Sequence, residues 1–173
     1  LAKAIKNPQG LEYKLEKGLK LVGDSYDYIV IDCAPTDSVL TDIALMASDY
    51  VLIPVKPDRF SIIGYGLMQE TLDEFRGSYP DPHNVRDLGI VFTQVIGDSP
   101  NELEYMNDIE KEAEYVFDVR IKWSKSYSRS VHEKTPITTT KHARWATKKQ
   151  ISTLVTEMEQ RIHDLTHKKD RES

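Results

Sequence analysis

Cysteine is nearly absent from this chain of 173 residues. Cys33 stands alone, which excludes an intrachain disulfide framework and leads us to expect a reducing, cytoplasmic setting. Long apolar runs are missing as well. None approaches the ~18 residues of a membrane span, and no charged-then-apolar leader opens the chain, so membrane insertion and secretion are not expected. A chain of this size buries roughly two thirds of the surface its unfolded form exposes, so neither disulfides nor a structural metal is needed for a core. His83, His132, His142, His163 and His167 show no metal-ligand spacing and read as scattered surface residues. Ser61 and Cys33 have no base beside them in the sequence, so nothing supports a nucleophilic mechanism.

What is present is an ordinary globular composition, 39% hydrophobic and 29% charged, with one domain as the natural count. The net charge of −5 hides a segregation of sign. From Arg120 to Gln150 nine basic residues face one acid, Glu133, whereas Asp98 to Asp118 holds eight acids and only Lys111 as a base. Such a basic stretch attracts phosphate locally whatever the total charge.

Four short apolar runs mark strands: Tyr28–Ile31, Tyr50–Val55, Leu88–Thr93 and Tyr115–Ile121. The first three are nearly continuous, the pattern of strands covered on both faces in a parallel sheet. Helical periods separate them, at Leu11, Leu15, Leu19 and Val22, at Val39 to Ala47, and at Ile62 to Phe75. The alternation defines an α/β class. A solvated acidic helix is expected over Asn101 to Glu114 and a long last helix over about Arg144 to Thr166, with a surface loop over Gly77 to Asp87. The domain is drawn as 1–167, and 168–173 reads as a polar, frayed tail.

Chemistry should sit at the carboxyl edge of that sheet. The run Tyr26-Asp27-Tyr28-Ile29-Val30-Ile31-Asp32 ends on a carboxylate placed to hold Mg²⁺ through water. The same pattern also ends strands that merely start a turn. Its wording, with Cys33, Ala34, Pro35 and Thr36 following, resembles the Walker B region of the ParA/MinD family of deviant-Walker ATPases. Leu40-Thr41-Asp42-Ile43-Ala44-Leu45, Ala47-Ser48-Asp49-Tyr50-Val51-Leu52-Ile53-Pro54-Val55-Lys56-Pro57 and the stretch Phe60 to Leu67 extend the resemblance. Further on, Lys134 and Pro136-Ile137 resemble the family segment ending Gly-Lys-Pro-Ile. The family's Ile-Pro-Arg is replaced here by Ile121-Lys122-Trp123.

The resemblance implies a P-loop NTPase-like fold, a mainly parallel sheet flanked by helices and incomplete at the amino end. It implies ATP and Mg²⁺ as cofactors, with Asp32 at the metal, Pro35 and Thr36 shaping the turn behind it, and Thr93 and Gln94 beside adenine. Without a ligand, the last two are simply a polar pair ending a strand. The family forms ATP-dependent homodimers that bind DNA non-specifically and work with a ParB-like adaptor in plasmid or chromosome partitioning. The matching basic residues are Lys122, Lys125, Arg129, Lys141, Arg144, Lys148 and Lys149. The competing reading pairs these charges with the acidic helix. Partial burial is expected for Trp123 and Trp145 rather than contact with DNA.

Two family motifs are missing, and two other branches of the superfamily find no support. The phosphate loop Lys-Gly-Gly-x-Gly-Lys-Thr, which brings backbone amides and lysines to the phosphates, does not occur among these residues. The acidic motif Asp-x-Asp-x-Gln is absent too. The last residues lack the bulky apolar end of a MinD-type membrane tail, and one cysteine does not make an iron–sulfur reductase. The chain opens on Leu1 rather than Met, and the expectation is that the phosphate loop lies upstream of it. A non-catalytic DNA-binding or adaptor domain on the same fold is the alternative.

Overall fold

Local chemistry sets most element boundaries in the computed structural model, which describes residues 12–34, 38–79, 85–97 and 99–172. The elements are α1 (Glu12–Lys20), α2 (Val39–Met46), β1 (Tyr50–Val55), α3 (Arg59–Ser78), β2 (Arg86–Phe92), α4 (Pro100–Glu112), α5 (Lys125–His132) and α6 (Trp145–Glu172). Ser38 caps α2 by accepting from the Thr41 N–H at 3.4 Å. Asp58 starts α3 by accepting from the Ser61 N–H at 2.9 Å. Ser99 and Ser124 do the same for α4 and α5. Such caps supply acceptors to the amides of a first helical turn; the Thr41 N–H also donates to Ser38 O at 2.8 Å.

β1 and β2 are neighbours in one sheet. The Arg86 N–H donates to Asp49 O at 3.0 Å and the Thr93 N–H to Val55 O at 2.8 Å, so both strands advance in the same direction. On the other side of β2 run residues 115–122, with parallel bridges at Ile90–Val116 and Val95–Lys122. The chain divides into two compact units, 1–51 with 64–87, and 52–63 with 88–173.

In the first unit α1 packs on α2, whose buried face is Thr41, Ala44, Leu45 and Met46. Tyr65, Leu72 and Phe75 are the buried residues of α3. Arg76 donates twice to the carbonyl of buried Val85, at 3.3 and 3.2 Å. Arg86 lies over the Tyr50 ring at 4.5 Å and donates to its hydroxyl at 2.7 Å.

The second unit holds a core of Ile53, Val55, Leu88, Ile90, Val91, Phe92, Met106, Ile109, Phe117 and Ile121. Gly89 sits at φ +124°, and a Cβ there would meet Tyr115 Cδ1 at 2.6 Å and Tyr115 O at 2.8 Å. The run Tyr115–Ile121 can therefore lie close against β2 only beside a glycine. α5 closes on Lys134 at φ 50°, with the Lys134 N–H donating to Val131 O and the Thr135 N–H to Ser130 O. That is a Schellman ending with lysine at the left-handed position.

Several expectations need correction. Tyr28–Ile31 is not a strand: among the described residues no neighbour pairs with it, and Tyr28, Ile29 and Val30 are exposed. A parallel strand requires bonded neighbours, and its own composition cannot supply them. Tyr115–Ile121 forms isolated bridges rather than a strand, because the Val119 N–H donates to Glu157 Oε2 at 3.3 Å and the Phe92 carbonyl is taken by Ile121 at 2.8 Å. α3 takes the first two residues of the expected loop, ending at Ser78, and β2 takes its last two, starting at Arg86; residues 80–84 lie outside the described residues. α6 continues to Glu172, past the expected end at Thr166, since Lys, Arg and Glu are good helix formers. The acidic helix ends at Glu112 rather than Glu114.

Candidate functional site

Asp32 belongs to the first unit and lies exposed at the end of the unpaired apolar run. Beside it, desolvation and then the negative charge of Asp32 push the Cys33 thiol up from its ordinary value. Pro35 and Thr36 lie outside the described residues. Among the described residues no group of three or more His, Cys, Asp or Glu side chains is gathered to hold a metal. One carboxylate suits Mg²⁺ only in the manner in which that ion is held by water and nucleotide phosphate as well as by protein.

Thr93 and Gln94 belong to the second unit and follow the end of β2. Thr93 is half-buried and tied to β1 through its N–H. Gln94 is exposed and adopts φ 55°, which is uncommon for a residue other than glycine. The loop beyond is held by Glu102, whose Oε1 accepts from the Ile96 N–H at 3.1 Å and whose Oε2 accepts from the Gly97 N–H at 3.0 Å. Glu102 is the third residue of α4, and its own N–H donates to Ser99 Oγ at 3.2 Å. This positioning residue was missed in the sequence, although Ser99-Pro100-Asn101-Glu102 carries the capping-box spacing that announces it.

The basic residues come together in the second unit. The Ser126 hydroxyl donates to His142 O at 3.1 Å and joins α5 to the turn that carries Lys141 and Arg144. The Lys122 N–H donates to Gln150 Oε1 at 3.4 Å, which brings the edge beside β2 to the first turns of α6, near Lys148 and Lys149. Lys122, Lys125, Lys141, Arg144 and Lys149 are exposed and Lys148 is half-buried. Among the described residues none of these six makes an ion pair.

Glu133, the one acid of the stretch, is engaged elsewhere. Arg129 donates to its Oε1 at 2.9 Å, the His142 ring lies 3.3 Å from the same oxygen, and Thr140 donates to Oε2 at 3.2 Å. The Arg129 hydrogen bond, aided by the charges of His142 and Arg129, holds the Glu133 carboxyl below its ordinary value. Pairing with the acidic helix is limited, among the described residues, to Arg120 with Glu110 at 3.3 Å. Trp123 and Trp145 are 55% and 77% exposed, so the partial burial expected for them is met in part at Trp123 and hardly at Trp145.

Comparisons with known proteins bear on the fold and on sequence similarity. Residues 1–82 match the profile of a family described as an AAA domain. An uncharacterized protein of Mycobacterium tuberculosis is 32% identical over 143 residues, 82% of this chain and 43% of that protein. The chromosome partitioning protein ParA of Myxococcus xanthus is 37% identical over 76 residues, 43% of this chain and 27% of that protein. The sporulation initiation inhibitor protein Soj of Bacillus subtilis is 41% identical over 61 residues, 35% of this chain and 24% of that protein. These matched stretches span less than half of each relative's length.

Among solved structures, cobyrinic acid a,c-diamide synthase from Mycobacterium smegmatis, with bound ATP analog and magnesium, superposes at a TM-score of 0.60 and 24% identity over 68% of this chain and 48% of that one. The fold is thus that of the α/β P-loop NTPases. Within that class the chain is similar in sequence to ParA and Soj over the stretches given above. Among the described residues no helix is long and apolar enough to cross a membrane.

Proposed function

We propose that the chain serves a ParA-like ATPase of plasmid or chromosome partitioning, whose ATP-bound homodimer binds DNA non-specifically and answers to a ParB-like adaptor. The observation that carries this reading is the face of six cations without ionic partners, Lys122, Lys125, Lys141, Arg144, Lys148 and Lys149. Arg129 joins it from α5 while also bonding Glu133. Clustered, exposed, unopposed cations bind the phosphate backbone and release its counterions, whatever the base sequence.

On the nucleotide side, Asp32 would hold Mg²⁺, Pro35 and Thr36 would shape the turn behind it, and Thr93 and Gln94 would border adenine. Bound Mg²⁺ supplies neutralisation of phosphate charge. The reaction is attack of water on the γ-phosphate. Most of its stabilisation would come from the lysines of the family's phosphate loop, which is not among these residues.

The alternative reading is a DNA-binding or adaptor domain on the same fold, without catalysis. ATP titration of this chain beside the protein expressed from its complete reading frame separates the two. Binding that needs the complete frame supports the ATPase. A complete frame that contains no phosphate loop and binds no ATP contradicts it.

A further inference from the structure

A tryptophan ring carries on the order of 150–250 Å² of surface that normally seeks a core or a partner. Trp123 and Trp145 leave most of theirs in water, at 55% and 77% exposure. Both stand among the unopposed cations. Lys122 precedes Trp123 and Lys125 follows two residues later, at the start of α5. Trp145 opens α6, and Lys148 and Lys149 follow it by three and four residues, the spacing that puts side chains on one helix face. The Lys122–Gln150 and Ser126–His142 hydrogen bonds tie these segments into one region of the second unit.

We propose that Trp123 and Trp145 are stacking platforms for unpaired bases and that this basic face prefers single-stranded DNA to duplex. The inference rests on the DNA-binding reading above. A duplex keeps the faces of its bases stacked on one another and offers a protein phosphates and base edges. A single strand exposes the faces themselves. An aromatic ring beside cations then takes a base while the cations take the flanking phosphates, with little dependence on sequence. Lysines alone account for phosphate attraction. They give no reason for two indoles to remain exposed in their midst.

The test measures affinity of the protein from its complete reading frame, with ATP present, for an oligothymidylate and for a duplex of mixed sequence at one salt concentration. Trp123→Ala and Trp145→Ala are each expected to weaken single-strand binding roughly 5- to 100-fold, with partial rescue by Phe and little change for duplex. Lys148→Gln with Lys149→Gln should weaken both. Tryptophan emission should be quenched by the single strand. Unchanged single-strand affinity in both Trp variants, alongside loss in the lysine variant, overturns the stacking proposal and leaves the electrostatic reading standing. Absence of DNA binding in the unsubstituted protein overturns both. Because both rings are exposed, circular dichroism should be unaltered by the Trp substitutions.

Discussion

Val30 is 88% exposed and Ile90 only 1%, although each is a branched aliphatic residue inside a short apolar run. The run around Ile90 has β1 on one side and residues 115–122 on the other, and the carbonyl and N–H of Ile90 itself bond Phe117 and Tyr115 at 2.9 and 3.0 Å. The run Tyr28–Ile31 has no ladder among the described residues. Apolar character makes a segment eligible for the interior. Hydrogen-bonded neighbours on both edges are what put it there, because each buried backbone group without a partner costs about 1–3 kcal/mol, enough to offset the burial of an apolar side chain.

That comparison can be broken or sharpened by substitution. Ile90→Ala should cost about 2–5 kcal/mol through lost burial and the cavity left behind, read as a lower denaturant midpoint. A smaller effect comes from Asp58, the cap that joins the end of β1 to α3. Asp58→Ala should cost about 1 kcal/mol. The Ser61 N–H, with Lys56 at 3.0 Å, holds the Asp58 carboxyl below its ordinary value of 3.8. With the folded value depressed, this stabilisation is complete above the unfolded value and is lost as pH falls through the folded one. The variant should therefore lose less stability on acidification below about pH 4 than the parent does. Smallest of all, Val30→Ala should stay within about 0.5 kcal/mol. Should it match Ile90→Ala, Tyr28–Ile31 is paired and buried after all.

The same contrast explains what could be read in advance. The periods at Val39–Ala47 and Ile62–Phe75 and the runs at 50–55 and 88–92 are set by local pattern, and α2, α3, β1 and β2 follow them. α5 was missed because its apolar residues are only Tyr127 and Val131 among serines and basic residues, although Ser124 supplied a cap. The break near Val119 depends on Glu157, thirty-eight positions away in the chain, which no window on the strand contains. At the candidate site the clustering of cations was legible as a count. Their freedom from acidic partners was not, because it depends on Glu133 being occupied by Arg129, Thr140 and His142. The exposure of both tryptophans likewise follows from packing, since aromatic residues in a basic segment are as compatible with a core as with a surface.

The central claim is that this unopposed basic face binds DNA through its phosphates. It is tested most directly by the salt dependence of DNA affinity in the protein from its complete reading frame, with and without Lys148→Gln and Lys149→Gln. The account predicts weaker binding in the variant and a slope of log affinity against log salt reduced in magnitude by about 1–2. Equal affinity and an equal slope in the two proteins would contradict it.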